Sequence, residues 1–232
     1  MNTDHILSEN NSDISSDNKD YVSFDDVSHF MDPVSPIKMW RPDLPHWEQS
    51  GKIQFITFRL NDSLPVSLLK NLKIRKENFL YLHPKPWNAE TLREYNRLFS
   101  CGVDELLHAG HGSCILTHSE IRKIVADALK HFNGNEYYLG AYVIMPNHIH
   151  LLACPIGNHS ILKTIEKVKR YSARAINKIK GIKGELWSRS YDRLIRNSEH
   201  LCNSVGYIYS NPEGLPPDTY ELGGELLDKS AL

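Results

Sequence analysis

Two histidines one residue apart, His148 and His150, lie in the run HIHLLAC at 148–154. Aliphatic residues fill the rest of it, as in a β-strand. Residues two apart on a strand point to the same face. The two imidazoles therefore project side by side, while Ile149, Leu151 and Ala153 face the opposite layer. Imidazoles placed in this way can bind one divalent cation. The plainer alternative is a pair of polar residues on a half-exposed strand.

A second reactive group is Tyr207. Leu201, Val205 and Ile208 fall at i, i+4 and i+7 of a helix expected over 199–210 and form its core stripe. Tyr207 lies off that stripe, with Asn203 and Asn211 one turn either side. Its hydroxyl can be a nucleophile or a surface hydrogen-bonding group. Tyr209 competes for either role, but two positions on it sits about 200° around the helix and is expected to face away. Two other histidine-pair chemistries do not fit. Metallohydrolases continue the pair into Asp and His, where this chain has Leu152 and Ala153. Two-histidine phosphodiesterases carry Thr or Ser two residues after a His, and neither histidine has one there.

The third feature is charge. Lys163, Lys167, Arg170, Arg174 and Lys178 recur at helical spacing and share one face, and Arg189, Arg193 and Arg196 continue the series. Residues 163–196 hold eleven Lys or Arg against three acids, although the whole chain has a net charge of −1. Such a stripe is either solvated surface or a track for phosphates; the scarcity of interleaved acids favours the track. The compensating negative charge lies at the N-terminus, where residues 1–35 contain eight acids and one Lys.

These groups must be positioned by ordinary elements. Lys52 to Leu60 and Tyr137 to Met145 read as strands, and Pro146-Asn147 breaks the chain before the histidine strand. Residues 64–99 read as helical, interrupted around His83-Pro84-Lys85-Pro86. Ser119 is expected to cap a helix reaching about Phe132, with Ile121, Ile124, Val125, Ala128 and Leu129 inward. Ser160 is expected to cap the basic helix to about Lys180, with Ile161, Ile165, Val168, Ala175 and Ile179 inward. Asn197 or Ser198 caps the tyrosine helix, and Asn211-Pro212 stops it. Strands mixed with helices around a hairpin indicate an α+β domain on an antiparallel sheet.

At 232 residues, with 41% hydrophobic and 24% charged residues, the chain has the composition of a soluble protein carrying one substantial domain. No run approaches the ~18 apolar residues of a membrane span, and the acidic N-terminus does not read as a signal peptide. Four scattered cysteines without a CxxC pair suit a reducing compartment, so the expected location is the cytoplasm. The expected organisation is an acidic disordered tail over 1–36 and a functional domain over 37–232, with a helical insertion at 64–117.

Three motifs in this order resemble the REP-associated branch of the single-tyrosine transposases, whose strand carries histidine, a hydrophobe and histidine. Residues 145–152, MPNHIHLL, resemble that strand; GELWSRSYDRLIR at 184–196 resembles the W-x-x-x-[YF]-x-D-R-x-I-R block, one residue shorter before Asp192; YIYSNP at 207–212 matches the Y-I-x-x-N-P helix end. Pro45-His46-Trp47, Thr57-Phe58-Arg59-Leu60 and residues 109–114 are also similar to longer members. The EGLPP that follows Pro212 and the acidic tail depart from the pattern. The resemblance implies a ferredoxin-like sheet and a Mg²⁺- or Mn²⁺-dependent endonuclease. It further implies Tyr207 as nucleophile, His148 and His150 as metal ligands, and Asn211 in the third, amide position. Its substrate would be single-stranded or hairpin DNA, cut and rejoined through a 5′-phosphotyrosine. The DNA would run along the basic helix with bases stacked on Trp187 or Tyr191. Ligation requires neutral imidazoles, so activity is expected to fall below about pH 6. Two rivals stand beside this reading: a zinc module built on His108, His111 and Cys114, and a domesticated protein that binds hairpin DNA without cutting it.

Overall fold

The structure, a computed structural model, describes residues 24, 26–40, 46–181 and 183–224. Its centre is a five-stranded antiparallel sheet of β3 (Gln54–Arg59), β4 (Tyr137–Ile144), β5 (His148–Pro155), β6 (Tyr191–Leu194) and β7 (Glu221–Gly223), in the order β6-β3-β5-β4-β7. The helices α4 (Ser119–His131) and α5 (Ile161–Lys180) make the two crossovers. This β3-α4-β4-β5-α5-β6 path is the split β-α-β of a ferredoxin-like fold, with β7 added at one edge. The expected α+β class and antiparallel sheet are what the chain adopts.

Strand alternation sorts the side chains into two layers. Ile56, Phe58, Ile149, Leu151 and Ala153 meet α4 and α5 on one face, through Ile121, Val125, Leu129, Ile161, Ile165 and Val168. Phe55, Val143, Leu152 and Cys154 form the other face, covered by Leu201, Val205 and Ile208 of α6 (Ser198–Ser210). Each fully buried aliphatic side chain contributes about 1.5–3 kcal/mol on leaving water. The histidines belong to the second face, so α5 and the histidine pair lie on opposite sides of the sheet.

Several local expectations are corrected. Helix α4 starts at Ser119 itself; His118 occupies the cap position with no side-chain cap bond. On α5, Ser160 does accept the Lys163 amide, but Ile176 is buried in place of Ala175, and Ile179 is 57% exposed. Its last turn closes on Gly181, whose φ of 66° is left-handed. The acidic segment does not remain outside the domain as far as residue 36. Phe24 and Phe30 are buried against Ile53 and Phe55, and Gln49 exchanges hydrogen bonds with Asp32. Two apolar anchors are enough to hold this stretch despite its charge; residues 1–23 of the expected tail lie outside the described residues.

The segment between β3 and α4 carries three helices, α1 (Val66–Leu82), α2 (Ala89–Asn96) and α3 (Gly102–His108). Phe79 of α1 packs on Tyr95 of α2, 5.7 Å away, and on Trp87 and Phe99, 5.9 Å and 5.7 Å from its ring. A short ladder of β1 (Lys38–Trp40) and β2 (His46–Glu48) packs beside β6. Its His46 imidazole hydrogen-bonds the buried Asp192 carboxylate. No described helix is long and apolar enough to cross a membrane.

Candidate metal and nucleophile site

His148 opens β5 and His150 follows two residues later; both are buried, at 1% and 0% exposure, with ring centroids 4.7 Å apart. Each Nδ1 is occupied. The His148 Nδ1 lies 2.7 Å from Asn147 Oδ1, and the His150 Nδ1 lies 2.8 Å from Thr57 Oγ1, its cross-strand neighbour. The Asn147 amide has a fixed orientation, because its Nδ2 donates to the carbonyls of Leu107 and His111. Its Oδ1 can only accept, so His148 carries its proton on Nδ1 and leaves the Nε2 lone pair free. Both Nε2 atoms are buried with no hydrogen-bond partner among the described residues.

Asn211 closes α6, one turn beyond Tyr207, and is 5% exposed. Its amide lies beside His148, raising that imidazole's pKa slightly, yet forms no hydrogen bond of good geometry with it. Two imidazole nitrogens and an amide oxygen, all buried and unsatisfied, are a donor set that fits a divalent cation. The arrangement supplies the second layer as well, since Asn147 and Thr57 hold the imidazoles from behind. Among the described residues, no three His, Cys, Asp or Glu side chains are grouped to hold a metal. The third candidate donor here is an amide. For the same reason the zinc grouping is not formed: Cys114 Sγ turns to the Gly110 carbonyl at 3.3 Å, and the His108 ring lies 5.7 Å from that of His148.

The electrostatics keep both imidazoles neutral. Burial pushes His148 down to about 3, with His108 adding to the effect. His150 is driven well below the usual imidazole range by burial, then by His148, His108 and Arg193. The loss of activity expected below about pH 6 assumed an ordinary imidazole, and burial moves protonation to more acid pH.

Tyr207 comes to the pair from α6. Its ring lies 5.1 Å from His150, edge to face, and 6.0 Å from Phe55. Tyr209 is also partly buried against the same apolar layer, so burial alone does not separate the two tyrosines. Asn203 lines a polar hollow of about 330 Å³ with Arg196, Asn197, Glu199 and His200.

The basic residues do not form one track. Lys163, Lys167, Arg170, Arg174 and Lys178 are exposed on α5, across the sheet from the histidines, and Lys167 pairs with Glu136 at 2.6 Å. Arg189 and Arg196 are exposed on the loops flanking β6. Arg193 instead reaches the site face: its guanidinium lies 4.5 Å over the Phe55 ring. Trp187 is 7% exposed, packs edge-on against Phe58 at 5.1 Å and donates through Nε1 to Ser172 Oγ. It is a core residue, closed to base stacking, whereas Tyr191 is 42% exposed. Sequence spacing did not single out His108, Thr57 or Phe55 for this site. For the last two the signal was available in the pairing of β3 with β5 and β6, once the register is known.

No curated protein matches the chain. A solved structure described as a REP-associated tyrosine transposase bound to a REP hairpin is similar at 16% identity, covering 80% of this chain and 93% of that one, with a TM-score of 0.40. Residues 115–211 match the family described as "Transposase IS200 like". That segment runs from just before α4 through the histidine strand to Asn211, and over it the chain is similar to the IS200-like transposases.

Proposed function

We propose that the chain is a metal-dependent single-stranded DNA endonuclease and strand-transfer enzyme that cuts and rejoins DNA through Tyr207, at sequences able to form hairpins. One observation carries the reading. The unsatisfied Nε2 atoms of His148 and His150 and the Asn211 amide are buried together, and the Tyr207 ring is against His150.

His148, His150 and Asn211 would hold Mg²⁺ or Mn²⁺. When bound, the cation supplies Lewis-acid polarisation of the scissile phosphate. The chain's residues do the rest. Asn147 and Thr57 fix the imidazoles as neutral ligands. Helix α6 sets the tyrosine and the amide ligand one turn apart, so that nucleophile and phosphate are positioned by one rigid element. Tyr207 loses its hydroxyl proton and its Oη forms a bond to phosphorus. The bond from phosphorus to the 3′-oxygen breaks, and that oxygen takes up a proton. The product is a 5′-phosphotyrosine with a free 3′-hydroxyl; attack by another 3′-hydroxyl reverses the step.

The test is a denaturing gel with labelled single-stranded hairpin DNA and Mn²⁺, followed by mass spectrometry of the adducted peptide. Tyr207→Phe should bind DNA and form no covalent adduct, while Tyr209→Phe keeps most activity. An adduct on Tyr209 or Tyr191 would overturn the choice of nucleophile. Binding of the hairpin by the wild-type protein with no cutting in either metal would instead favour a domesticated DNA-binding protein.

A further inference from the structure

Arg193 lies in β6 directly opposite Phe55 of β3, and its guanidinium carbon is 4.5 Å above the Phe55 ring. The same ring is 5.5 Å from His150 and 6.0 Å from Tyr207. One aromatic side chain is thus in contact with a guanidinium, a candidate metal ligand and the candidate nucleophile. Three of the five lysines of α5 differ: Lys167, Lys169 and Lys180 pair with Glu136, Glu166 and Glu120. Arg193 is half-buried, and its buried Nε has no hydrogen-bond partner among the described residues. A guanidinium is always charged, and its planar fork matches the oxygens of a phosphate. Stacking on Phe55 restrains that plane before any ligand arrives.

We propose that Arg193 is the clamp of the scissile phosphate: it binds the non-bridging oxygens of the phosphate that Tyr207 attacks and stabilises the charge that develops on them. This rests on the nucleophile assignment above. The clamp faces the histidines from the β6 side while α6 brings Tyr207 from across the layer, so the phosphate lies between them. Arg193 also acts on the neighbouring His200. That imidazole is pushed down by burial, then by the charges of Arg193 and Arg196. The role of Arg193 differs from that of the stripe on α5, which can hold DNA only outside the reacting centre.

The experiment uses the full chain and a single-stranded hairpin oligonucleotide whose cut position has been mapped with the wild-type protein in Mn²⁺. Single-turnover adduct formation is measured at saturating DNA, and Kd is measured in the Tyr207→Phe background. Arg193→Met keeps the apolar stem on Phe55 without the charge. It should slow adduct formation by about 100-fold or more, the loss typical of one transition-state donor, while Kd changes far less than the rate. Arg193→Lys should restore part of the rate, and both variants should melt within a few degrees of wild type. A methylphosphonate at the mapped position should slow the wild-type protein but add little to the defect of Arg193→Met. If Arg193→Met cuts at the wild-type rate, or loses only affinity, Arg193 is an outer DNA contact and the inference is overturned. So it is if the methylphosphonate defect and the Arg193→Met defect simply multiply. Wild-type protein that cuts no single-stranded DNA would overturn the underlying nucleophile assignment, and the clamp with it.

Discussion

Acidifying the metal-free protein should destabilise it, and the histidine pair contributes to the effect. His148 is held at about 3 in the folded chain against 6.5 in the unfolded one. Between those values the unfolded chain binds the extra proton, so stability is complete above about pH 6.5 and falls as pH drops towards 3. At pH 5 the gap from 6.5 is about 1.5 units, which is about 2 kcal/mol from His148 alone. His150, also depressed by burial, adds to the loss in the same direction. A domain of this kind holds about 5–15 kcal/mol in total, so the transition should move visibly. The assay is urea unfolding with a chelator, followed by tryptophan fluorescence at pH 7.5, 6 and 5. His148→Gln removes one titration and should lose about 2 kcal/mol less than wild type between pH 7.5 and 5. Parallel stability curves for the two proteins would refute the buried-neutral assignment of His148. Mn²⁺ at about 100 times its Kd should raise wild-type stability by about 2.7 kcal/mol at pH 7.5, and this gain should largely vanish in His148→Gln.

Three further outcomes follow from the geometry. Trp187→Ala should cost about 3–5 kcal/mol of stability, as for a large buried aromatic, and leave DNA affinity of the folded fraction unchanged; a selective loss of binding would return Trp187 to the DNA surface. Arg170, Arg174 and Lys178 replaced together by Ala should flatten the salt dependence of single-strand binding by about 0.7 log units per lost contact. The adduct rate at saturating DNA should stay the same, because these residues lie across the sheet from Tyr207. Asn147→Ala should weaken Mn²⁺ binding about 10- to 100-fold, the usual effect of removing a group that orients a ligand, as read by calorimetric titration; unchanged affinity would exclude that role.

Much of this site was legible because the periodicities of strand and helix carry it. Alternation at 148–154 placed both imidazoles opposite Ile149, Leu151 and Ala153, and that is how β5 divides between the two layers. Helical spacing put Tyr207 and Asn211 one turn apart. What periodicity cannot supply is which layer each helix covers. The stripe on α5 is continuous in sequence with Arg193, yet the sheet separates them, because Arg193 follows the pleat of β6 and α5 packs on the reverse face. Trp187 failed for a related reason: an aromatic residue in a basic stretch looks available for bases, and only its contact with Phe58 and Ser172 shows it to be core. Strand β6 itself was hidden, since YDRL has two charges in four residues and is held by pairing with β3 and by the bond from His46 to Asp192. Phe24 and Phe30 were masked by the acids around them.

The Asn147 side chain joins two parts of the molecule that are far apart in sequence. Through Oδ1 it sets the tautomer of His148; through Nδ2 it grips the carbonyls of Leu107 and His111, at and just beyond the end of α3. The insertion is therefore a removable module only in appearance. A grafted replacement for residues 64–117 would have to present two backbone carbonyls at the same places. Without them the amide is free to flip, and a flipped amide offers His148 a donor where it needs an acceptor. The imidazole would then move its proton to Nε2 and lose the lone pair proposed to bind the metal. Segment exchange would inactivate the site in chimaeras that fold well, and a second-site change that re-anchors Asn147 should restore them.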